Sequence, residues 1–107
     1  MDERIRRVYC PMSETGFYIL FCLREENHGY NITKTVRELT GGEIVISPGT
    51  MYGSLSKMEK DGLIVPTREA DKRKMYVITN LGRAVLDTEL RRIERLYKNS
   101  KGENYHG

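Results

Sequence analysis

One stretch of the sequence, residues 47–64, constrains the fold most because it carries the signals of both ends of a helix. Ser47 is a preferred N-cap residue, and Pro48 suits the first helical position, where its missing N–H is not needed. Gly62 supplies the left-handed conformation that commonly ends helices. On a helical wheel, the side that would be buried collects the large apolar residues Met51, Leu55 and Met58.

The opposite side of this helix carries only small or cationic residues, namely Gly49, Thr50, Gly53, Ser56, Lys57 and Lys60. A surface helix that needed only solubility would favour Glu, Gln and Lys at these positions. Glycine instead lets the backbone approach another molecule closely, while hydroxyl and ammonium groups suit a polyanion. The alternative interpretation is a small-residue face that packs on another helix.

The residues after this helix predict a β-hairpin with a basic tip. Two apolar runs, 63–65 and 75–78, flank a charged turn that contains the cations Arg68, Lys72, Arg73 and Lys74. Long cationic side chains at a hairpin tip suit contact with phosphates or insertion into a minor groove. Lysines at a sheet edge also prevent aggregation, and the two roles are compatible.

The segment before this helix predicts two further helices and a short strand. Ser13 opens a helix whose continuation, Phe17–Leu23, is apolar on every side, and such a helix must be covered on every side. A second subunit is the expected cover. A second helix starts at His28, to which we assign a turn or capping role, and ends near Gly41. Residues 43–46 predict a short strand that pairs with the hairpin.

The last helix, about residues 80–98, predicts a dimerisation arm. Thr79 is a suitable N-cap, and one stripe carries Leu86, Leu90, Ile93 and Tyr97, which together with Phe17 and Phe21 form the expected dimer interface. We therefore expect a flexible N-terminal arm over residues 1–10, one domain over residues 11–98, and a disordered tail over residues 99–107.

Composition excludes several classes of function. The net charge of +3 over 107 residues is too small to indicate nucleic-acid binding by itself, so the placement of the charges matters more. No nucleophile–base pair, phosphate-binding glycine loop or metal-ligand spacing is present, which argues against an enzyme and against a cofactor. Cys22 lies in an apolar run as expected of a buried residue, although a thiol sensor using Cys10 and Cys22 is an alternative. With no long apolar run, a cytoplasmic location is expected.

Three segments resemble the PadR family of winged-helix transcriptional regulators: HGYNI, SPGTMYGSLSKMEKDGLI and KRKMYVITNLGRAVL. They occur in the order and spacing of that family, and the resemblance spans about residues 15–97. It implies a mainly α fold with a small β-hairpin (α+β), a winged helix-turn-helix with an added C-terminal dimerisation helix. It also implies a homodimeric DNA-binding regulator, a repressor of a near-palindromic operator, which a small aromatic effector at the dimer interface releases in some members.

The DNA-binding residues follow from combining this resemblance with the residue chemistry. We predict base-edge or adjacent phosphate contacts from Thr50, Ser54 and Lys57, with close approach at Gly49 and Gly53. Ser47, Tyr30 and Lys34 would hold phosphates, and the hairpin cations Arg68, Lys72, Arg73 and Lys74 would hold the flanking backbone. The chain departs from the family at Gly53, where proline is frequent, and at Ser56, where a basic residue is common. A winged helix that binds another protein remains the rival hypothesis.

Overall fold

The computed structural model describes residues 1–107 and contains five helices and one two-stranded antiparallel sheet. In chain order the elements are α1 (Glu3–Tyr9), α2 (Glu14–Cys22), α3 (Gly29–Leu39), α4 (Pro48–Lys60), β1 (Ile64–Ala70), β2 (Arg73–Ile78) and α5 (Asn80–Ser100). Helices α3 and α4 form a helix-turn-helix, and β1 and β2 form the hairpin that follows it. The predicted α+β winged-helix architecture is confirmed.

Local capping chemistry explains where the main helices begin and end. The Oγ of Ser47 accepts the Thr50 N–H at 3.2 Å at the start of α4. His28 has the predicted capping role, because its Nδ1 accepts the Asn31 N–H at 3.2 Å at the start of α3. At the end of α4, Gly62 adopts a φ of 82°, which the absence of a Cβ allows at little cost. The Leu63 N–H then donates to the Met58 carbonyl at 2.9 Å, closing a Schellman cap.

The core lies where α2, α3, α4 and α5 meet the base of the hairpin. Ile19, Leu20 and Leu23 on one side of α2 are fully buried, and Met51, Leu55 and Met58 of α4 are 1–3% exposed, as the wheel predicts. Burial of each such side chain contributes about 1.5–3 kcal/mol. The N-terminal turn of α5 crosses the Leu63 backbone so closely that a Cβ at Gly82 would collide with the Leu63 carbonyl oxygen.

The hairpin is closed by a two-residue turn. Ala70 pairs with Arg73, and the turn residues Asp71 and Lys72 have φ values of 52° and 64°. Positive φ at both positions is the type I′ geometry that matches the twist of a hairpin. The register shifts between Pro66 and Glu69, so the strand contains an irregularity on its way to the tip.

The strand predicted for residues 43–46 is wrong. Ile46 is buried and Val45 is exposed, but this segment forms no ladder with the hairpin. The outer edge of β2 is already occupied: Tyr76 and Asn27 exchange both backbone hydrogen bonds, at 2.8 and 2.9 Å, and the Ile78 N–H donates to the Leu23 carbonyl at 2.8 Å. The loop after α2 therefore takes the place that was assigned to residues 43–46.

The predicted flexible arm over residues 1–10 is also corrected, because residues 3–9 form helix α1. Asp2 caps it by accepting the Ile5 N–H at 2.8 Å. Ile5 and Tyr9, one turn apart, are 3% and 5% exposed and join the core. The segment is thus part of the domain.

The last helix extends beyond its predicted end, and residues 101–103 cap it. Gly102 has a φ of 81°, and the Glu103 N–H donates to the Lys98 carbonyl at 3.0 Å. The predicted disorder therefore does not describe residues 99–103. None of the helices combines the length and the apolar character needed to cross a bilayer.

Candidate nucleic-acid interface

The outward side of α4 is open. Apart from the neighbouring residues and backbone of α4 itself, nothing lies within 4 Å of the position that a Cβ would take at Gly49 or at Gly53. Ser47 and Thr50 are exposed at the N-terminal end, where the Ser47 hydroxyl also donates to the Thr50 Oγ1 at 3.0 Å. Ser56 and Lys60 continue the same exposed side. The face that the wheel predicted as slim and polar is therefore available to another molecule.

Two tyrosines frame this face on the side of α3. Tyr30 is 62% exposed and Tyr52 is 61% exposed, and both line a shallow cavity of about 260 Å³ between the two helices. Tyr30 is among the residues predicted from the sequence, whereas Tyr52 is not. The one feature of the sequence that points to Tyr52 is its position between Met51, which is predicted to be buried, and Gly53, which lies on the outer side of the helix. Exposed tyrosines suit contact with a partner, because each joins a large flat surface to a hydroxyl.

The hairpin is tied to the start of α3 by stacked side chains. The Arg73 guanidinium lies 4.4 Å from the centre of the Tyr30 ring, and the His28 ring stacks on Tyr30 with the two ring centres 6.4 Å apart. Burial, followed by the nearby charge of Arg73, lowers the pKa of His28. A neutral imidazole keeps Nδ1 free to accept the capping hydrogen bond described above.

Two of the predicted hairpin cations are held by carboxylates outside the hairpin, on α4 and in the loop after α2. Arg68 pairs with Glu26 at 2.9 Å, and the Thr67 hydroxyl donates to the same carboxylate at 2.6 Å. These hydrogen bonds, from Arg68 first and Thr67 second, lower the pKa of Glu26. Lys74 pairs with Glu59 of α4 at 3.5 Å. Arg68 and Lys74 thus fix the hairpin against the domain.

The cation at the hairpin tip is different, because Lys72 forms no ion pair with a carboxylate. Lys34 is likewise exposed and unpaired, on the outer side of α3. Both ammonium groups remain free to neutralise a phosphate. The structure therefore separates the predicted cations into anchored ones and free ones.

The predicted base-reading residues Ser54 and Lys57 lie nearer to α1 than the wheel suggested. Ser54 is half-buried and lines a cleft with Val8 and Met12, so it lies off the open face, and its contact with DNA stays a prediction. Lys57 is more than half exposed, but its Nζ lies 3.4 Å from Asp61. The physical reason is the unforeseen helix α1, which covers this flank of α4.

The predicted dimer interface is only partly exposed. Leu86 is 3% exposed and belongs to the core of its own chain, so it is corrected to a core residue. Phe17 and Phe21 are half-buried and stack at 5.9 Å. Further along α5, the exposed apolar residues are Leu90, Ile93, Leu96 and Tyr97.

A helix-turn-helix whose second helix presents an open polar face, followed by a basic hairpin, defines a winged helix-turn-helix protein. The comparisons give the family. Residues 19–88 match the model of the transcriptional regulator PadR-like family. A transcriptional regulator of Mycobacterium tuberculosis is 34% identical over 84 residues, which cover 76% of each chain. The chain belongs to the PadR-like family of transcriptional regulators.

Solved structures of PadR family regulators are also similar to this chain. A PadR family regulator of Clostridium difficile is 29% identical with a TM-score of 0.68, over 82% of this chain and 97% of that one. Bacillus subtilis PadR, in complex with operator DNA, is 32% identical with a TM-score of 0.63, over 75% of this chain and 48% of that one. The chain spans only 19% and 38% of two other relatives, a transposon protein of Streptomyces fradiae and an Escherichia coli transcriptional regulator.

Proposed function

We propose that this protein is a sequence-specific DNA-binding transcriptional regulator, and that α4 lies in the major groove. The observation that carries the proposal is the open face of α4, where nothing lies within 4 Å of the missing Cβ atoms of Gly49 and Gly53. A helix with glycines on its outer side lets its backbone and its short hydroxyls approach base edges and phosphates closely.

The surroundings of α4 support the same function. Lys34 and Lys72 are free cations on either side of the face, and Arg73 is held over Tyr30 at 4.4 Å. Phosphate contacts from such groups set the position of a protein on a duplex, while α4 would supply the base contacts. The similarity to Bacillus subtilis PadR, which was solved with operator DNA, supports this arrangement.

We further propose that the regulator is a homodimer that represses transcription from a near-palindromic operator in the cytoplasm. Leu90, Leu96 and Tyr97 of α5 are 41–60% exposed, and this apolar surface needs a cover. Two copies related by a two-fold axis would present their α4 helices to half-sites about one helical turn (~34 Å) apart.

An effector site at the dimer interface is supported by an apolar cavity of about 410 Å³ between α2 and α5. Phe17 lines it together with Met12, Tyr18, Leu90 and Ile93. Phe21 and Tyr97, two further residues of the predicted dimer interface, do not line this cavity. Arg24 lies 3.6 Å above the Phe21 ring, and Lys101 lies 4.6 Å above the Tyr97 ring. The volume suits a small aromatic molecule.

The two rival functions have less support. A protein-binding winged helix would carry apolar residues on the outside of α4, and only Tyr52 fits that pattern. A thiol sensor requires reactive thiolates, but burial raises the pKa of both Cys10 and Cys22, which disfavours the thiolate.

The salt dependence of DNA binding tests the proposal. A duplex selected from a random pool, measured by fluorescence anisotropy from low to moderate salt, should give a slope of log K against log salt of roughly −5 to −7 for a dimer that contacts three or four phosphates per subunit. A scrambled duplex of equal length is the control and should bind more weakly. A flat salt response, or equal affinity for both duplexes, would contradict sequence-specific DNA binding.

A further inference from the structure

A cleft rich in arginine lies between α1 and α5, outside the surfaces described so far. It has a volume of about 570 Å³, and its walls include Arg6, Arg91, Arg92, Arg95 and Tyr105. None of these residues belongs to α3, α4 or the hairpin, and only Arg92 also lines the apolar cavity between α2 and α5.

The side chains that line the cleft are mostly cationic, because four arginines face one carboxylate, Glu89. Arg92 is paired with Glu89, whose Oε2 accepts its Nε–H at 3.0 Å. Glu89 is 1% exposed and also accepts the Met12 N–H, so its charge is fully used. Arg6, Arg91 and Arg95 have no carboxylate within 4.0 Å, although Asp87 lies one turn before Arg91.

Gathering three unpaired guanidinium groups around one cleft costs Coulomb energy, which a bound anion would recover. Guanidinium groups bind phosphate oxygens in a bidentate manner, which makes arginine the side chain of choice for such groups. The Tyr105 side chain is half-buried and lines the cleft, where its ring, with the Lys98 ammonium 5.9 Å from its centre, offers a flat surface beside the charges.

We propose that this cleft binds a phosphorylated small molecule that carries at least two negative charges. The cleft is large enough for a ligand with a ring as well as phosphates, since binding sites for small molecules span about 300–1,000 Å³. The phosphates would lie between Arg6, Arg91 and Arg95, and a ring would lie against Tyr105. This site lies outside the proposed DNA interface and shares only Arg92 with the aromatic effector cavity.

The test is isothermal titration calorimetry of the full chain at low salt without DNA, with pyrophosphate and ADP as probes. Both should bind saturably to the natural protein. The double variant Arg91→Gln/Arg95→Gln should lose about tenfold or more in affinity, because two charge-assisted contacts are removed. The matched control is Arg83→Gln, on the same helix but outside the cleft, which should bind as the natural protein does.

Substitution of Tyr105 by Leu distinguishes the two kinds of ligand. Weaker binding of ADP with unchanged pyrophosphate binding supports a nucleotide, while no change in either supports recognition of the phosphates alone. In a second measurement, NMR shift changes on adding pyrophosphate to the natural protein should map to α1, α5 and Tyr105. Shifts confined to α4 and the hairpin, equal affinity in the double variant and the control, or no saturable binding would overturn the proposal. Because DNA is absent, none of these results depends on the DNA-binding function.

Discussion

The Tyr9 hydroxyl donates to the Oδ2 of Asp61 at 2.6 Å and so joins the first helix of the chain to the end of α4. Arg4 donates to the other oxygen of the same carboxylate at 2.7 Å, and Lys57 lies 3.4 Å from Oδ2. The Asp61 side chain is only 3% exposed. Through this carboxylate, the position of α1 and the position of the proposed DNA-contacting helix depend on each other.

Asp61→Asn should make stability less dependent on pH. Hydrogen bonds from Tyr9 and Arg4 lower the pKa of Asp61 from 3.8 to about 2, so the charged carboxylate stabilises the folded state. That contribution is complete above about pH 4 and is lost as the pH falls toward 2. Urea unfolding should show a deficit of about 1–2 kcal/mol for the variant at pH 7, since exposed Arg4 is partly screened.

The same deficit should shrink toward zero at pH 2, and a deficit that stays constant from pH 7 to pH 2 would contradict this assignment. Tyr9→Phe is the companion variant, because it removes one hydrogen bond and leaves the Arg4 pair in place. It should cost about 1 kcal/mol at pH 7.

Gly53→Ala should stabilise the protein and weaken DNA binding. The new methyl group meets no protein atom within 4 Å, and alanine favours a helix interior over glycine by about 1 kcal/mol. The same methyl group would stand between the helix and a duplex, so affinity should fall by about tenfold or more, or ~1.4 kcal/mol. Urea unfolding and fluorescence anisotropy measure the two effects. Unchanged affinity would show that α4 does not approach DNA at this position.

Gly82→Ala should destabilise the protein, in contrast to Gly53→Ala. A Cβ at this position collides with the backbone carbonyl of Leu63 and with the Ile78 side chain, neither of which can move without shifting the hairpin. We expect a loss of about 3 kcal/mol or more in unfolding free energy. A thermal melt would check this, and a melting temperature equal to that of the natural protein would contradict the close crossing of α5 over Leu63.

Lys72→Gln should weaken binding to every DNA sequence by a similar factor. The tip lysine has no carboxylate partner, and its proposed role is contact with phosphate, which carries no sequence information. The magnitude of the salt slope should fall by about 2 for a dimer, one per subunit. Arg83→Gln, which removes an exposed cation near the start of α5, is the control. A loss restricted to one duplex would instead indicate base reading by Lys72.

Leu90→Glu should separate the subunits without unfolding them, whereas Leu86→Ala should unfold them. Leu90 is 41% exposed and Leu86, one turn earlier, is 3% exposed. The core substitution should cost about 2–5 kcal/mol. Analytical ultracentrifugation and urea unfolding distinguish the two outcomes. A natural protein that is monomeric at micromolar concentration would contradict the proposed dimer.

Much of the fold could be predicted because its signals are local. Ser47, Pro48 and Gly62 mark the ends of α4 within the span of one helix, and the spacing of Met51, Leu55 and Met58 selects its buried side. The open face of α4 follows directly from these positions. The hairpin is equally local, since its two strands are joined by only two residues.

The errors concern partners that are distant in the sequence. Helix α1 is held in place by a hydrogen bond from Tyr9 to Asp61, which lies 52 residues further along the chain. No local sequence pattern predicts that contact. The free edge of β2 pairs with Asn27, in the loop after α2, and not with residues 43–46, for which the sequence predicts a strand. Leu86 and Leu90 share one stripe, and only the packed structure shows that α5 leaves the core between them.

The turn at the tip of the hairpin imposes opposite demands on Lys72. At a φ of 64°, glycine or asparagine would relax the backbone by about 1 kcal/mol, and an Asn-Gly pair is the usual solution for such a turn. That exchange would remove the unpaired ammonium group at the tip of the hairpin. Variants selected only for thermostability should therefore acquire Asn-Gly at residues 71 and 72. Variants selected for binding to promoter DNA should keep Lys72 despite its positive φ.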